Sequence, residues 1–85
     1  MYVHIGKELI IPSKEIITIL DLEKMLKNRT LEEILKELKI ENEIINIAKG
    51  NNKSLILVKK EEKTKGYISN ISSTTLARRM QKENL

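Results

Sequence analysis

The apolar residues of this chain are almost all Ile, Leu and Val, and they occur in short runs separated by charged residues. Hydrophobic residues make up 40% of the 85 residues and aromatic residues only 2%, so the core has to be built from aliphatic, largely β-branched side chains. Because one hydrophobic core serves chains of roughly 50 to 200 residues, we expect a single domain over residues 1–85. A domain this small leaves roughly a third of its unfolded surface exposed, which favours self-association.

Several classes of protein are excluded by what the chain lacks. It contains no cysteine, which excludes a thiol nucleophile, a disulfide framework and a thiolate zinc site. Residues 1–6 lack the basic and long apolar segments of a secretory signal. Pro12, Lys14 and Glu15 interrupt the most apolar region well short of the roughly 20 apolar residues that cross a membrane. We therefore expect a cytoplasmic protein with no membrane partner.

Positive charge is concentrated in the second half of the chain. The formal net charge is +4, but residues 49–85 alone carry nine basic and three acidic side chains, a balance of +6. Such asymmetry is typical of a protein that binds nucleic acid, although ordinary solvated lysines explain it equally well. The basic residues of this half are Lys49, Lys53, Lys59, Lys60, Lys63, Lys65, Arg78, Arg79 and Lys82.

Short strands are predicted along most of the chain. Residues 2–5 and 9–11 form a hairpin that ends before Pro12, which cannot continue a ladder of hydrogen bonds. The continuous apolar run 16–20 predicts a central strand covered on both faces. Alternation in 43–48 predicts a strand, which a turn at 49–52 connects to a returning strand. The later strands are predicted at 54–59 and 66–71, with a turn at 61–64 between them.

Two helices are predicted from capping residues followed by periodic apolar positions. Thr30 and Glu33 have the spacing of a capping box, and apolar residues then recur on one helical face through Leu38. Ser72 or Ser73 can cap a terminal helix, with Ile71 packing on Leu76 as a hydrophobic staple. The expected fold is a small α+β domain whose mostly antiparallel sheet has five or six strands.

No residue pattern indicates catalysis. His4 is the only histidine and has none of the spacings of a metal-binding motif, so a structural role in its strand is expected. The hydroxyl residues of 69–75 come before an apolar helix without a Gly-rich loop, which is typical of helix caps. Glu32, Glu33 and Glu37 lie beside Lys36 on the polar side of a helix, the pattern of solvated i, i+4 pairs rather than of a catalytic dyad. We therefore predict no enzyme activity, no catalytic residue, no metal site, no cofactor and no small-molecule substrate.

The basic residues of the turns and the terminal helix are better candidates for a site. Lys49 and Lys53 flank a turn, where they can contact DNA phosphates. Arg78 and Arg79 point about 100° apart around the helix, so both cannot be buried, and the guanidinium fork suits phosphate oxygens. The alternatives are that the turn lysines are simply solvated and that one arginine pairs with a carboxylate of its own or a neighbouring subunit.

Four segments occur in the order of a known family: MYVHIG at 1–6, IITILDLE at 16–23, KSLILV at 53–58 and YISNISSTTLARR at 67–79. Together they resemble the small bacterial extracellular matrix regulators RemA and RemB, and the ending at 71–79 resembles RemB more closely. The resemblance implies a LytTR-like domain that assembles into a ring, wraps DNA around a basic rim and controls the transcription of matrix (biofilm) genes.

The chain departs from the RemA pattern at the positions that the resemblance links to DNA. Gly50, Asn51 and Asn52 stand where the RemA branch carries an arginine pair, and a RemA basic position falls near Glu15, beside Lys14. The RemA contacts are therefore not carried over. The candidate nucleic-acid-binding residues are this chain's own Lys14, Lys49, Lys53, Lys59, Lys60, Arg78 and Arg79.

Two main functions remain open from the sequence, and a third, a small hydrolase or metal enzyme, is kept only because size does not forbid it. The first is a homo-oligomeric, DNA-binding transcriptional regulator that contacts duplex DNA mainly through phosphates. The second is an oligomeric protein-interaction module with weak or no nucleic-acid binding. The absence of Phe and Trp argues against base stacking, so a single strand is expected to bind less well than a duplex.

Overall fold

The computed structural model describes the backbone of residues 1–83 and the side chains of residues 1–81. This part of the chain has the predicted α+β class, with six strands and three α-helices, one helix more than expected. The strands are β1 (Tyr2–Gly6), β2 (Leu9–Pro12), β3 (Ile16–Asp21), β4 (Ile44–Asn46), β5 (Ser54–Lys60) and β6 (Lys63–Ser69). The helices are α1 (Leu22–Met25), α2 (Leu31–Glu37) and α3 (Ser73–Glu83), and a 3-10 turn (Ser13–Glu15) leads into β3.

The strands form two mostly antiparallel sheets that pack in layers. β1 and β2 form a hairpin, and the other strands form a four-stranded sheet in the order β3-β5-β6-β4. One face of the larger sheet, the hairpin face, is covered by the β1–β2 hairpin and α3, while α1 and α2 cover the other, the helix face. The buried core on the hairpin face is Val3, Ile5, Ile11, Ile47, Ile56, Val58 and Leu76. The core on the helix face is Leu22, Ile34, Ile40, Ala48, Leu55 and Ile68.

The predicted capping box at the start of α2 is confirmed. The Thr30 hydroxyl accepts a hydrogen bond from the Glu33 backbone N–H at 3.1 Å, and the Glu33 carboxylate accepts one from the Thr30 N–H at 3.0 Å. The backbone hydrogen bond from Thr30, with a second one from its hydroxyl, lowers the pKa of Glu33. The cap orients α2 so that Ile34 is completely buried against the sheet.

Two buried serines join the hairpin and α3 to one end of the central strands. Ser54 and Ser69 are cross-strand partners in β5 and β6, and neither is exposed to solvent. The Ser54 hydroxyl donates to the Ile71 carbonyl at 2.8 Å. The Ser69 hydroxyl donates to the Ile5 carbonyl in β1 and accepts from the Ile71 N–H. Ser69 therefore links β6 to both β1 and the turn before α3.

A two-residue turn with an unusual backbone connects β5 to β6. Glu61 and Glu62 have positive φ angles of 51° and 69°, the combination that suits the right-handed twist of a hairpin. This turn sets Lys60 opposite Lys63 and fixes the register of the two strands. Three more charged residues, Lys7, Lys39 and Lys49, also have positive φ.

The pairing of β4 differs from the prediction. The strand does not pair with β5 across the 49–52 turn but lies parallel to β6, with Ile44 opposite Gly66. A Cβ atom on Gly66 would lie 2.6 Å from the Ile44 side chain and 3.0 Å from that of Ile40. The missing side chain makes room for both isoleucines, and β4 takes the outer position beside β6.

Two further expectations need correction, and one is confirmed. The apolar run 16–20 is not a central strand, because β3 pairs only with β5 and lies at an edge of the sheet. The single-turn helix α1 was not predicted; its cap is Asp21, whose side chain accepts from the Lys24 N–H. The terminal helix begins as predicted, with the Ser72 hydroxyl accepting from the Thr75 N–H at 3.2 Å.

None of the helices within residues 1–83 has the length and apolar content needed to span a bilayer.

We expect Ser69→Ala to lower the free energy of unfolding by about 2 kcal/mol, because it leaves the Ile5 carbonyl and the Ile71 N–H without their buried partner. Thr74→Ala is the matched control, since it removes an exposed hydroxyl at the start of α3. Urea denaturation of the two variants and the wild type measures the difference. Equal stability of the two variants would contradict the role given to Ser69.

Candidate nucleic-acid interface

The structure distributes the candidate basic residues over two ends of the sheet and one helix. Lys49 and Lys53 lie in the connection before β5, which we call the loop end. The opposite end, where a turn joins β5 to β6, is called the hairpin end, and it carries Lys14, Lys59 and Lys60. Because a strand rises about 3.3 Å per residue, Lys53 and Lys60 are roughly 23 Å apart. The candidate residues therefore do not form one continuous patch on a single subunit.

At the loop end, the backbone of Lys53 is held from two sides. Its N–H donates to the Ser69 carbonyl at 2.9 Å, and its carbonyl accepts from the Glu23 N–H at 3.3 Å. These bonds connect the residue to the end of β6 and the start of α1. The Lys53 side chain is half-buried, and the part of it nearest the backbone is therefore fixed relative to the sheet.

Lys49 projects from the same end in a defined turn. The Asn46 side chain accepts from the Ala48 N–H at 2.8 Å, and Lys49 itself follows with a φ of 53°. Lys49 and Lys7 border a shallow depression whose floor includes Ile47. The structure thus adds Lys7, from the β1–β2 turn, to the loop end. Local sequence patterns do not indicate this grouping, because Lys7 and Lys49 are about 40 residues apart in the chain.

At the hairpin end, Lys59 and Lys60 point to opposite faces of the sheet, as consecutive strand residues do. Lys59 forms a salt bridge with Glu62 at 3.7 Å and is partly neutralised. Lys60 lies on the hairpin face, opposite Lys63. Lys14 is exposed in the 3-10 turn that leads into β3.

The two arginines of α3 have different roles. Arg78 is exposed, whereas Arg79 is half-buried and donates from Nη1 to the His4 carbonyl at 2.7 Å. Leu76 and Met80 pack into the core on the hairpin face, and Ile71 packs against the same cluster, as expected of a staple with Leu76. Arg79 therefore fastens α3 to β1 through a backbone carbonyl. The side chain of Lys82 lies outside the part of the structure that is described.

His4 has the structural role expected from the sequence. Its Nε2 lies 2.6 Å from the Lys7 carbonyl oxygen, which can only accept, so Nε2 carries a proton and donates. Its Nδ1 lies 3.5 Å from the Arg79 guanidinium. Across the described residues, no three His, Asp or Glu side chains come together in the way a metal ion would require.

The chain is similar to one known protein family over nearly its whole length. Residues 2–80 match the family model described as RemA-like, extracellular matrix regulatory protein A-like. The matched range includes the loop end, the hairpin end and both arginines of α3. No curated protein sequence matches the chain.

We expect Arg79→Ala to lower the free energy of unfolding by about 1 kcal/mol, because the half-buried guanidinium bond to the His4 carbonyl is lost. Arg78→Ala removes the same charge from an exposed position and should change stability by less than about 0.5 kcal/mol. Thermal and urea denaturation of both variants test this difference. Equal losses would show that the Arg79 contact does not contribute to stability.

Proposed function

We propose that this chain, which belongs to the RemA-like family of extracellular matrix regulatory proteins, is an oligomeric DNA-binding transcriptional regulator of matrix genes. Family membership supports a role in matrix regulation. The ending at 71–79 supports a place near the RemB branch, and we extend the proposal to a LytTR-like fold, a ring assembly and a cytoplasmic location.

The observation that carries DNA binding is positive charge that no carboxylate of the described residues compensates. Among the described side chains, the salt bridges are Arg29–Glu37 and Lys59–Glu62. Lys49, Lys53 and Arg78 thus have no carboxylate partner within residues 1–81. Such cations bind DNA phosphates by releasing condensed counterions, which does not depend on base sequence. A match to the family and an unpaired basic surface together favour a DNA-binding regulator.

Two exposed isoleucines at opposite edges of the four-stranded sheet support self-association. Ile17 in edge strand β3 is 54% exposed, and Ile45 in edge strand β4 is 41% exposed. If the β3 edge of one subunit contacts the β4 edge of the next, the two surfaces differ, and such head-to-tail contacts generate rings when the rotation closes. A ring repeats the loop end around one rim, so weak phosphate contacts add along one duplex.

The extent of the DNA contact depends on how a duplex lies across the subunit. The separation of roughly 23 Å between the two ends of the sheet is shorter than one turn of DNA, about 34 Å. A duplex along the sheet can therefore contact the loop end and also Lys14, Lys59 and Lys60. We place the principal contacts at the loop end and on Arg78, because Lys59 is already paired with Glu62.

The second candidate function is a protein-interaction module. Tyr2 and Ile10 lie on the outer side of the β1–β2 hairpin and are 62% and 54% exposed. Exposed apolar side chains of this size favour contact with a protein surface. In this alternative the chain still self-associates, but it binds duplex DNA weakly or not at all.

We expect Lys49→Gln combined with Lys53→Gln to weaken duplex binding and to flatten its salt dependence. Each phosphate contact contributes about −0.9 to the slope of log K against log salt, and an assembly with about six contacts loses roughly a thousandfold in affinity between 50 and 200 mM salt. Fluorescence anisotropy across a salt series measures the slope.

Lys27→Gln combined with Lys36→Gln is the matched control, because both residues are exposed, carry the same charge and lie on the helix side of the sheet. A third variant, Lys59→Gln with Lys60→Gln, measures the contribution of the hairpin end. Undetectable duplex binding at low salt, or equal weakening in the loop-end and control variants, would remove the DNA-binding proposal in favour of the interaction module.

We expect light scattering at low micromolar concentration to give a mass that is a multiple of the 9.9 kDa chain. Ile17→Lys and Ile45→Lys should each shift the protein to smaller species, because a charge at a strand edge opposes pairing. Ile10→Lys, on the hairpin, is the control. A wild-type mass of 9.9 kDa would disprove the ring, and a larger effect of Ile10→Lys would move the interface to the hairpin.

A further inference from the structure

A cavity lies at the hairpin end, between β2 and the tips of β5 and β6. Ile11 and Val58, both buried, form part of its wall, and Pro12 borders it where the β1–β2 hairpin ends. Its volume is about 220 Å³. This is below the roughly 300 Å³ of pockets for drug-sized ligands. The cavity can hold only a compact molecule.

Three lysines project toward this cavity from the same face of the sheet. Lys60 and Lys63 are direct cross-strand partners, and Lys65 follows Lys63 by two residues and faces the same way. Like charges directly opposite each other destabilise a sheet, and their Cβ atoms are only about 5 Å apart. No carboxylate of residues 1–81 lies within salt-bridge distance of these ammonium groups. All three lysines are exposed, so solvent screens part of the repulsion, but no carboxylate within residues 1–81 neutralises their charge.

The remaining lining residues add an acceptor and an aromatic ring. Glu15, half-buried in the 3-10 turn, is the one carboxylate that lines the cavity. Tyr67, one of the two aromatic residues of the chain, packs on the core of the hairpin face and also borders the cavity. Three cations against one anion leave a local charge of +2, while Glu15 can accept a hydrogen bond from a hydroxyl group of a ligand.

We propose that this cavity binds a small phosphate monoester that also carries hydroxyl groups, such as a sugar phosphate. A monoester has a charge between about −1.5 and −2 at neutral pH, which matches the unrelieved charge of the lysines. Lysine ammonium groups bind phosphate as point charges with rotatable donors. Glu15 accepts from a ligand hydroxyl, and Tyr67 packs against the carbon skeleton.

The DNA backbone fits this cavity less well than a free monoester does. A phosphodiester carries one negative charge, whereas a monoester carries up to about two. The carboxylate of Glu15 also repels a phosphate that brings no hydroxyl donor. The site is roughly 23 Å from the loop end and does not depend on the proposed function in DNA binding.

Calorimetric titration of the full chain with ribose 5-phosphate, inorganic phosphate and ribose tests the proposal. We expect saturable binding of ribose 5-phosphate, weaker binding of phosphate and none of ribose. Lys63→Gln combined with Lys65→Gln should weaken ribose 5-phosphate binding about tenfold or more, because two charge-assisted contacts are lost. Lys27→Gln with Lys36→Gln removes the same charge elsewhere and should leave the affinity unchanged.

The Glu15→Gln variant tests whether the cavity binds its ligand specifically or the lysines merely attract anions in general. Removal of the carboxylate should strengthen the binding of inorganic phosphate and reduce the preference for ribose 5-phosphate over phosphate by about fivefold. Urea denaturation verifies that each variant is folded. No saturable binding of ribose 5-phosphate at millimolar concentration, or an equal loss in the Lys27 and Lys36 control, overturns the proposal.

A titration of the same variants with duplex DNA shows whether these lysines bind DNA phosphates or a small phosphate monoester. If Lys63→Gln with Lys65→Gln weakens duplex binding as strongly as ribose 5-phosphate binding, the lysines belong to the DNA contact and the small-ligand site is wrong. If the variant weakens only ribose 5-phosphate binding, the cavity is a separate site. This outcome holds whether or not the loop end binds DNA.

Discussion

The fold depends on the burial of β5 on both of its faces. Leu55 faces α1 and α2 and Ile56 faces the hairpin and α3, and neither side chain is exposed to solvent. Burial of each such side chain contributes about 1.5–3 kcal/mol, and the adjacent positions stabilise two different layers. A strand covered in this way cannot slip by one residue without exchanging its two faces. The pairings of β3 and β6 with β5 are therefore fixed by the same residues that attach the outer layers.

The lengths of the layers explain where the charged ends arise. β5 and β6 each contain seven residues, whereas β2, which covers part of their hairpin face, contains four. The strands of the sheet therefore continue past the cover, and lysines replace apolar residues where the cover ends. At the opposite end, Ser54 and Ser69 close the sheet with hydrogen bonds to β1 and to the turn before α3. The two ends consequently have different chemistry although they belong to the same strands.

Local sequence signals predicted the local structure well. The caps at Thr30 and Ser72 act over a few residues, and both are found in the structure. The β1–β2 hairpin is also found, but β2 does not end before Pro12, which lies opposite Tyr2. The turn predicted at 61–64 contains only Glu61 and Glu62, and β6 begins at Lys63. The one-turn helix α1 escaped prediction because four residues carry too little periodicity to indicate a helix. The parallel pairing of β4 with β6 depends on the space beside Gly66, which is a contact between distant segments.

The candidate site was predictable only as a set of residue types. Charge counts singled out the second half of the chain, but they could not show that Lys59 and Lys60 face opposite sides or that Arg79 contacts a carbonyl. They also could not bring Glu15 to Lys63 and Lys65, since that grouping depends on how β2 packs against the sheet. Composition therefore indicates only the class of partner that the protein binds. The residues that come together to form a site can be identified only from the fold.

The turns of this protein hold charged residues in a backbone conformation that suits glycine or asparagine better. The five residues are Lys7, Lys39, Lys49, Glu61 and Glu62. A left-handed conformation costs an L-residue about 1 kcal/mol or more, so the five together cost about 5 kcal/mol, comparable with the net stability of a small domain. Glycine at these positions would reduce that cost but would also remove charge from the tips of the turns.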